Sequence, residues 1–232
     1  MSLVIDMICR DGIIVGCDSK LTISSIKKIF TLGYTHMVNP KIYNGNKFIL
    51  GTVGDSLCFS NTCLGEVLGL HDIGEILKRK NKDVKNLPHD LTNILNELDF
   101  DYHDKTLILY YYMDYEYNKY IFKAESSSHG EFNIYVNKNS FESYGTYKEL
   151  SNDLIKNILL QRYDTDDASM RTLQDCIPIM RDVLKSCINL SEISSYNNCI
   201  GYPILIYSIN QEGFVTECNS NLYHRIEKSI CE

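Results

Sequence analysis

Ser2-Leu-Val-Ile-Asp-Met-Ile-Cys-Arg-Asp-Gly-Ile-Ile-Val-Gly-Cys-Asp18-Ser19 opens the chain, and its reading decides the fold. Val4 to Ile8 is an apolar, β-branched run. Asp11-Gly12 is a strong short hairpin signal, and Ile13 to Cys17 is a second run that ends on the polar Asp18-Ser19. An antiparallel pair turned there brings the residues near Ser2 close to Asp18 and Ser19. A small hydroxyl residue at the N-terminus beside a carboxylate makes chemical sense if the terminus itself reacts. Initiator Met is normally trimmed before a small residue, which leaves Ser2 with a free α-amine. That amine titrates at roughly 7.7–8.0 unperturbed, so it can take the proton of its own hydroxyl when the hydroxyl attacks a carbonyl.

A second hairpin signal follows at Asn44-Gly45, in Lys41-Ile-Tyr-Asn-Gly-Asn-Lys-Phe-Ile-Leu-Gly-Thr-Val-Gly54-Asp55. Together with Asp11-Gly12-Ile-Ile-Val-Gly-Cys-Asp18-Ser19-Lys20-Leu-Thr22, this stretch resembles the proteasome β-type (HslV-like) N-terminal-nucleophile (Ntn) hydrolases. In that family a nucleophile precedes a "DGVVLAADSRAT" segment, then a lysine before a strand, then a "G(T)xAGxxAD" turn. With Asp18 on the family's first aspartate, the nucleophile position falls on Ser2. The resemblance implies that Lys41 takes the place of the catalytic lysine and Gly54 that of the oxyanion-hole glycine. The segment between Asp18 and Lys41 is longer than the family's, so Lys41 is matched through Ile42-Tyr43 and the Gly51–Gly54 turn.

In the second half, Ser143-Tyr-Gly-Thr146 sits where the family has a "GSGS"-like turn, making Thr146 the candidate hydroxyl beside the terminal amine. The family's second aspartate falls on Asn197 and the serine after it on Ile200, counting back from Pro203; Asn198 and Ser195 are alternatives for the aspartate's place. Asparagine keeps hydrogen-bond geometry but supplies no charge. A serine nucleophile lacks the methyl that fixes the threonine rotamer, so it is less preorganised on the same route.

Composition limits the alternatives. The 232 residues are 44% hydrophobic, which is enough for one domain with a sizeable core, and no apolar run reaches transmembrane length. Nine cysteines without a CxxC pair read as reduced thiols, and Cys9, Cys17 and Cys199 as small buried hydrophobes. A formal charge of -7 argues against nucleic acid. Six histidines without metal-ligand spacing argue against a metal centre, and no cofactor is expected. The first residues lack a basic n-region, so no signal peptide is read and a cytoplasmic location is expected.

Further along, Leu21 to Pro40 reads as a short strand and a long loop. Asp55-Ser56 reads as the cap of a helix through Leu57, Leu64, Leu68 and Ile73 that Gly65 and Gly69 weaken. Lys78 to Lys85 reads as a basic loop, and Pro88 as the start of a helix through Leu98. Lys105–Met113 and Lys119–Ala124 read as a hairpin around residues 114–118, its tyrosine run as a half-buried strand. Glu131–Val136 and Ser140–Tyr144 read as strands, Tyr147–Tyr163 as a helix and Thr172–Ile188 as a helix disturbed by Pro178. Pro203–Ile209 and Phe214–Glu217 close the chain as strands.

Strands, two helices, strands, two helices, strands is the order of a four-layer αββα sandwich. The resemblance therefore implies a single α+β domain over residues 1–232. The implied activity is a peptidase acting through Ser2 on peptides or unfolded protein. A homo-oligomeric ring and an ATP-dependent unfoldase are the implied partners, with no nucleic acid or membrane. A connectase-like transferase and a catalytically silent ring subunit are the alternatives. The expected site is Ser2, Asp18, Lys41, Gly54, Thr146 and Asn197.

Overall fold

Among the described residues this α+β chain forms two five-stranded antiparallel sheets, a two-stranded ribbon and four α-helices. The computed structural model describes residues 2–19, 41–53, 59–61, 66–97, 106–124, 132–136, 139–193 and 200–218. Gly54, Asn197, the Leu21–Pro40 segment and the Asp55-Ser56 cap lie outside the described residues.

The first sheet has the order β10-β1-β2-β11-β12, where β1 is Leu3–Cys9, β2 Gly12–Asp18, β10 Phe141–Gly145, β11 Ile204–Asn210 and β12 Val215–Glu217. The second has the order β3-β4-β7-β8-β9, with β3 Ile42–Asn44, β4 Phe48–Val53, β7 Thr106–Met113, β8 Glu116–Ala124 and β9 Phe132–Val136. A small ribbon pairs β5 (Phe59–Asn61) with β6 (Glu66–Leu68). The helices are α1 (Leu70–Lys80), α2 (Leu87–Asn96), α3 (Lys148–Tyr163) and α4 (Leu173–Ile193).

Period-two alternation distributes the apolar side chains of these strands. Leu3, Ile5 and Met7 pack with Ile155 and Leu159 of α3 and with Met180, Val183 and Leu184 of α4. The opposite face sends Val4, Ile13 and Val15 against Ile49, Ile108 and Ile121 of the second sheet. That sheet's other face, through Leu50, Leu107 and Leu109, meets Ile73 and Leu77 of α1 and Leu91 and Leu95 of α2.

Asp6 is the exception in this pattern, because it shares the inter-sheet face with Val4 and yet is charged and fully buried. Lys119 of β8 reaches it from the other sheet, its Nζ 3.0 and 3.2 Å from the two carboxylate oxygens. Tyr110 of β7 donates its hydroxyl to Asp6 at 2.9 Å. Glu142, opposite Asp6 in the β1–β10 register, accepts from Lys119 at 3.4 Å and from the Tyr144 hydroxyl at 2.9 Å.

Several local expectations are corrected. The first hairpin turns on Arg10-Asp11, because Gly12 already pairs with Cys9. A side chain at Gly12 would collide with Leu173, so this glycine serves close packing rather than the turn. Asp11 instead accepts the Leu173 N–H at 2.7 Å, at the start of α4. The second hairpin turns beyond Asn44-Gly45, since the Gly45 N–H donates to the Phe48 carbonyl at 2.8 Å.

The helix expected from Leu57 starts only at Leu70; the chain before it forms the β5–β6 ribbon. Gly69 ends that ribbon, its N–H donating to Asp72 at 2.7 Å as α1 begins. The same helix runs to Lys80, into the expected basic loop. The β7–β8 turn is only Asp114-Tyr115, both with positive φ (53° and 63°) as a tight hairpin turn of matching twist needs. The tyrosines of β7 are more buried than expected: Tyr110 and Tyr111 sit in a central strand covered on both faces. Pro178 lies inside α4, which continues to Ile193. Among the described residues no helix is long and apolar enough to cross a membrane.

Candidate active site

Asp18 ends β2 fully buried, and three donors converge on its carboxylate. The Leu3 N–H donates to Oδ1 at 2.8 Å, the Lys41 ammonium to Oδ2 at 3.2 Å and the Gly201 N–H to Oδ2 at 3.3 Å. Each comes from a different piece of chain. Leu3 starts β1; Lys41 leads into β3, where the Thr52 N–H donates to its carbonyl at 2.9 Å; Gly201 precedes β11, its carbonyl accepting from Ser19 at 3.2 Å. The pairs of the first hairpin, Val4 with Cys17 through Cys9 with Gly12, keep a constant register. Extended by two residues, that register sets Leu3 beside Asp18 and Ser2 beside Ser19, as the sequence implies.

Ser2 is itself buried, with 2% of its surface exposed. Its carbonyl accepts the Thr146 N–H at 2.8 Å. Thr146 was expected to act through its hydroxyl; the contact seen is through its backbone N–H. Gly145 pairs with Leu3 and has φ of 90°, a left-handed conformation that glycine alone adopts readily. A side-chain carbon there would collide with the Ser2 carbonyl oxygen. Gly145 and Gly201 were both missed from the sequence. The signal for Gly145 was available, since a glycine between a strand and a helix start marks a special backbone position.

Burial pushes the Asp18 carboxyl above its ordinary 3.8, while the Lys41 ammonium and the Leu3 and Gly201 N–H groups pull it back. The Lys41–Asp18 pair is not a surface bridge: the two side chains are 6% and 0% exposed. The neighbouring Cys17 thiol is pushed up to about 12 by burial, with the Asp18 charge adding to the effect. A thiol held protonated there is a poor nucleophile.

A pH dependence follows from the Asp18 shift. A carboxyl with a raised folded pKa contributes stability that is complete below its unfolded value and lost as pH rises through the folded one. The advantage of wild type over Asp18→Asn in urea unfolding should therefore shrink from about pH 3 to about pH 7. An advantage that widens over that range would contradict the assignment.

The structure brings Ser2, Asp18, Lys41 and Thr146 to one end of the first sheet. Among the described residues no group of three or more His, Cys, Asp or Glu side chains could hold a metal ion. No protein-family model matches the chain, and no curated protein matches it.

Proposed function

We propose that the chain is a four-layer αββα-sandwich Ntn hydrolase that cleaves peptide bonds through Ser2 after Met1 is removed. The observation that carries this reading is the buried Asp18–Lys41 pair, whose carboxylate also holds the N–H of Leu3, the residue directly after Ser2. The pair is thereby fastened to the reactive terminus at one peptide's distance.

In this mechanism the Ser2 hydroxyl attacks the substrate carbonyl and its proton passes to the α-amine. The C–N bond of the scissile peptide then breaks, the amine proton goes to the leaving amine, and an ester on Ser2 remains. Water, activated by the same α-amine, hydrolyses the ester. The Lys41 ammonium places positive charge near the terminus, which favours the neutral α-amine and the developing alkoxide. The Thr146 N–H and the side-chain-free Gly145 fix the Ser2 carbonyl and so hold the terminus in place beside Asp18.

The αββα reading draws support from the three separate cores and the strand and helix order. As a test, Ser2→Ala protein freed of Met1 should lose covalent labelling by a peptide β-lactone while unfolding at the wild-type temperature. Labelling of that variant at the wild-type level would refute the assignment.

A further inference from the structure

Between the two sheets, well along β1 from Ser2, the proposed hydrolase chemistry leaves one set of groups unused: Asp6, Lys119 and Glu142, with Tyr110 and Tyr144. Asp6 and Lys119 are both fully sequestered, at 0% side-chain exposure. Lys119 Nζ lies 3.0 and 3.2 Å from the two Asp6 oxygens. Those two distances place Nζ within about 3.5 Å of the carboxyl carbon, near an attack distance. A second carboxylate, Glu142 Oε2, is 3.4 Å from the same nitrogen.

We propose that Asp6 and Lys119 condense into an intramolecular amide, a covalent tie between the two sheets, with Glu142 relaying the protons. Lys119 first passes one proton to Asp6, giving a neutral amine and a neutral carboxylic acid. The amine lone pair attacks the Asp6 carbon; the C–N bond forms and the carbonyl π pair moves to Oδ2, where the Tyr110 hydroxyl donates to it. Glu142 takes a second proton from nitrogen and delivers it to the Oδ1 hydroxyl. The C–O bond breaks and one water leaves. The step needs no oxidant or external reagent.

The surroundings favour it. Two charges held out of water cost several kcal/mol apiece, and the amide has none. Burial, the largest influence on Asp6, already favours its neutral form, although Lys119 and Tyr110 oppose that shift. The product's polar atoms inherit existing partners: Tyr110 for the amide oxygen, Glu142 for the amide N–H.

The test is the intact mass of the purified full chain, read for forms with and without Met1. The cross-linked protein should weigh one water less than its sequence, about 18 Da. Trypsin should then release a branched peptide joining the segment that ends at Arg10 to Thr106–Lys123, uncut at Lys119. Lys119→Arg should show the full sequence mass. Glu142→Gln keeps the other two groups in contact and should cross-link at least tenfold more slowly. Wild-type protein of full mass, with cleavage after Lys119, would overturn the proposal. Cross-linking of Glu142→Gln at the wild-type rate would overturn the relay. Neither readout involves peptidase activity, so failure here is separable from failure of the Ser2 reading.

Discussion

Lys119→Met should lower the unfolding free energy by about 3–5 kcal/mol, because it strands a carboxylate in the space between the sheets. Asp6 would keep the Tyr110 hydroxyl as a donor but lose the cation that faces both its oxygens. Methionine fills most of the lysine's volume, so the loss is electrostatic rather than a cavity. At roughly 2–4 °C per kcal/mol for a chain of this size, the thermal midpoint should fall by about 6–20 °C. Differential scanning calorimetry at neutral pH reads this directly, and a fall under about 2 °C would contradict it. The double variant Asp6→Leu/Lys119→Met removes the stranded charge. It should recover the electrostatic part of the loss but not the part due to a covalent tie between the sheets.

Lys41→Ala should reduce turnover of short peptide substrates by about 10²–10³-fold, the range for removing one preorganised charge-stabilising group. Loss of an exposed ion pair costs little stability. The 6% exposure of Lys41 takes the pair out of that class, since the variant removes the ammonium from a fully buried Asp18 carboxylate. A stability cost of about 3–5 kcal/mol should accompany the loss of activity. The assay therefore belongs at a temperature where circular dichroism shows the variant folded. Lys41→Arg should restore much of the stability and little of the turnover, because the planar guanidinium does not fit a site shaped for an ammonium. Full activity in either variant would assign the role to a different cation.

The site corner was legible because it is local. Ser2, Asp18 and the hairpin between them lie within one short stretch, where alternation and turn residues fix the pairing. The turn itself was misread by one residue because a glycine reads alike whether it serves a positive φ or close packing; only Leu173, far along the chain, shows that Gly12 serves packing. The ribbon at residues 59–61 and 66–68 reads as helix in the sequence because a short apolar run fits both periods.

The Asp6–Lys119–Glu142 cluster was missed for the opposite reason. Its members lie on three strands, with Asp6 and Lys119 113 positions apart. A signal was nonetheless present. Asp6 alternates with Val4 and Ile8, and Lys119 lies between Tyr117 and Ile121 on its face, so each is a charge flanked by apolar neighbours. Two charges of opposite sign, each set among apolar neighbours, point to a pair across two packed sheets. Nor did the sequence disclose the clasp on the Ser2 carbonyl, because it depends on the backbone of Gly145 and Thr146 rather than on their side chains.

Where a covalent adduct forms decides whether the chain reacts through its own N-terminal serine. Protein treated with a peptide β-lactone is digested with trypsin, and the modified peptide is sequenced by tandem mass spectrometry. One acyl group is expected, as an ester on the Ser2 hydroxyl, in the tryptic segment from Ser2 to Arg10, released alone or as the arm of the branched peptide joined through Asp6 to Thr106–Lys123. An adduct on any other residue, or unmodified Ser2 in protein that has lost Met1, would contradict the Ser2 reading.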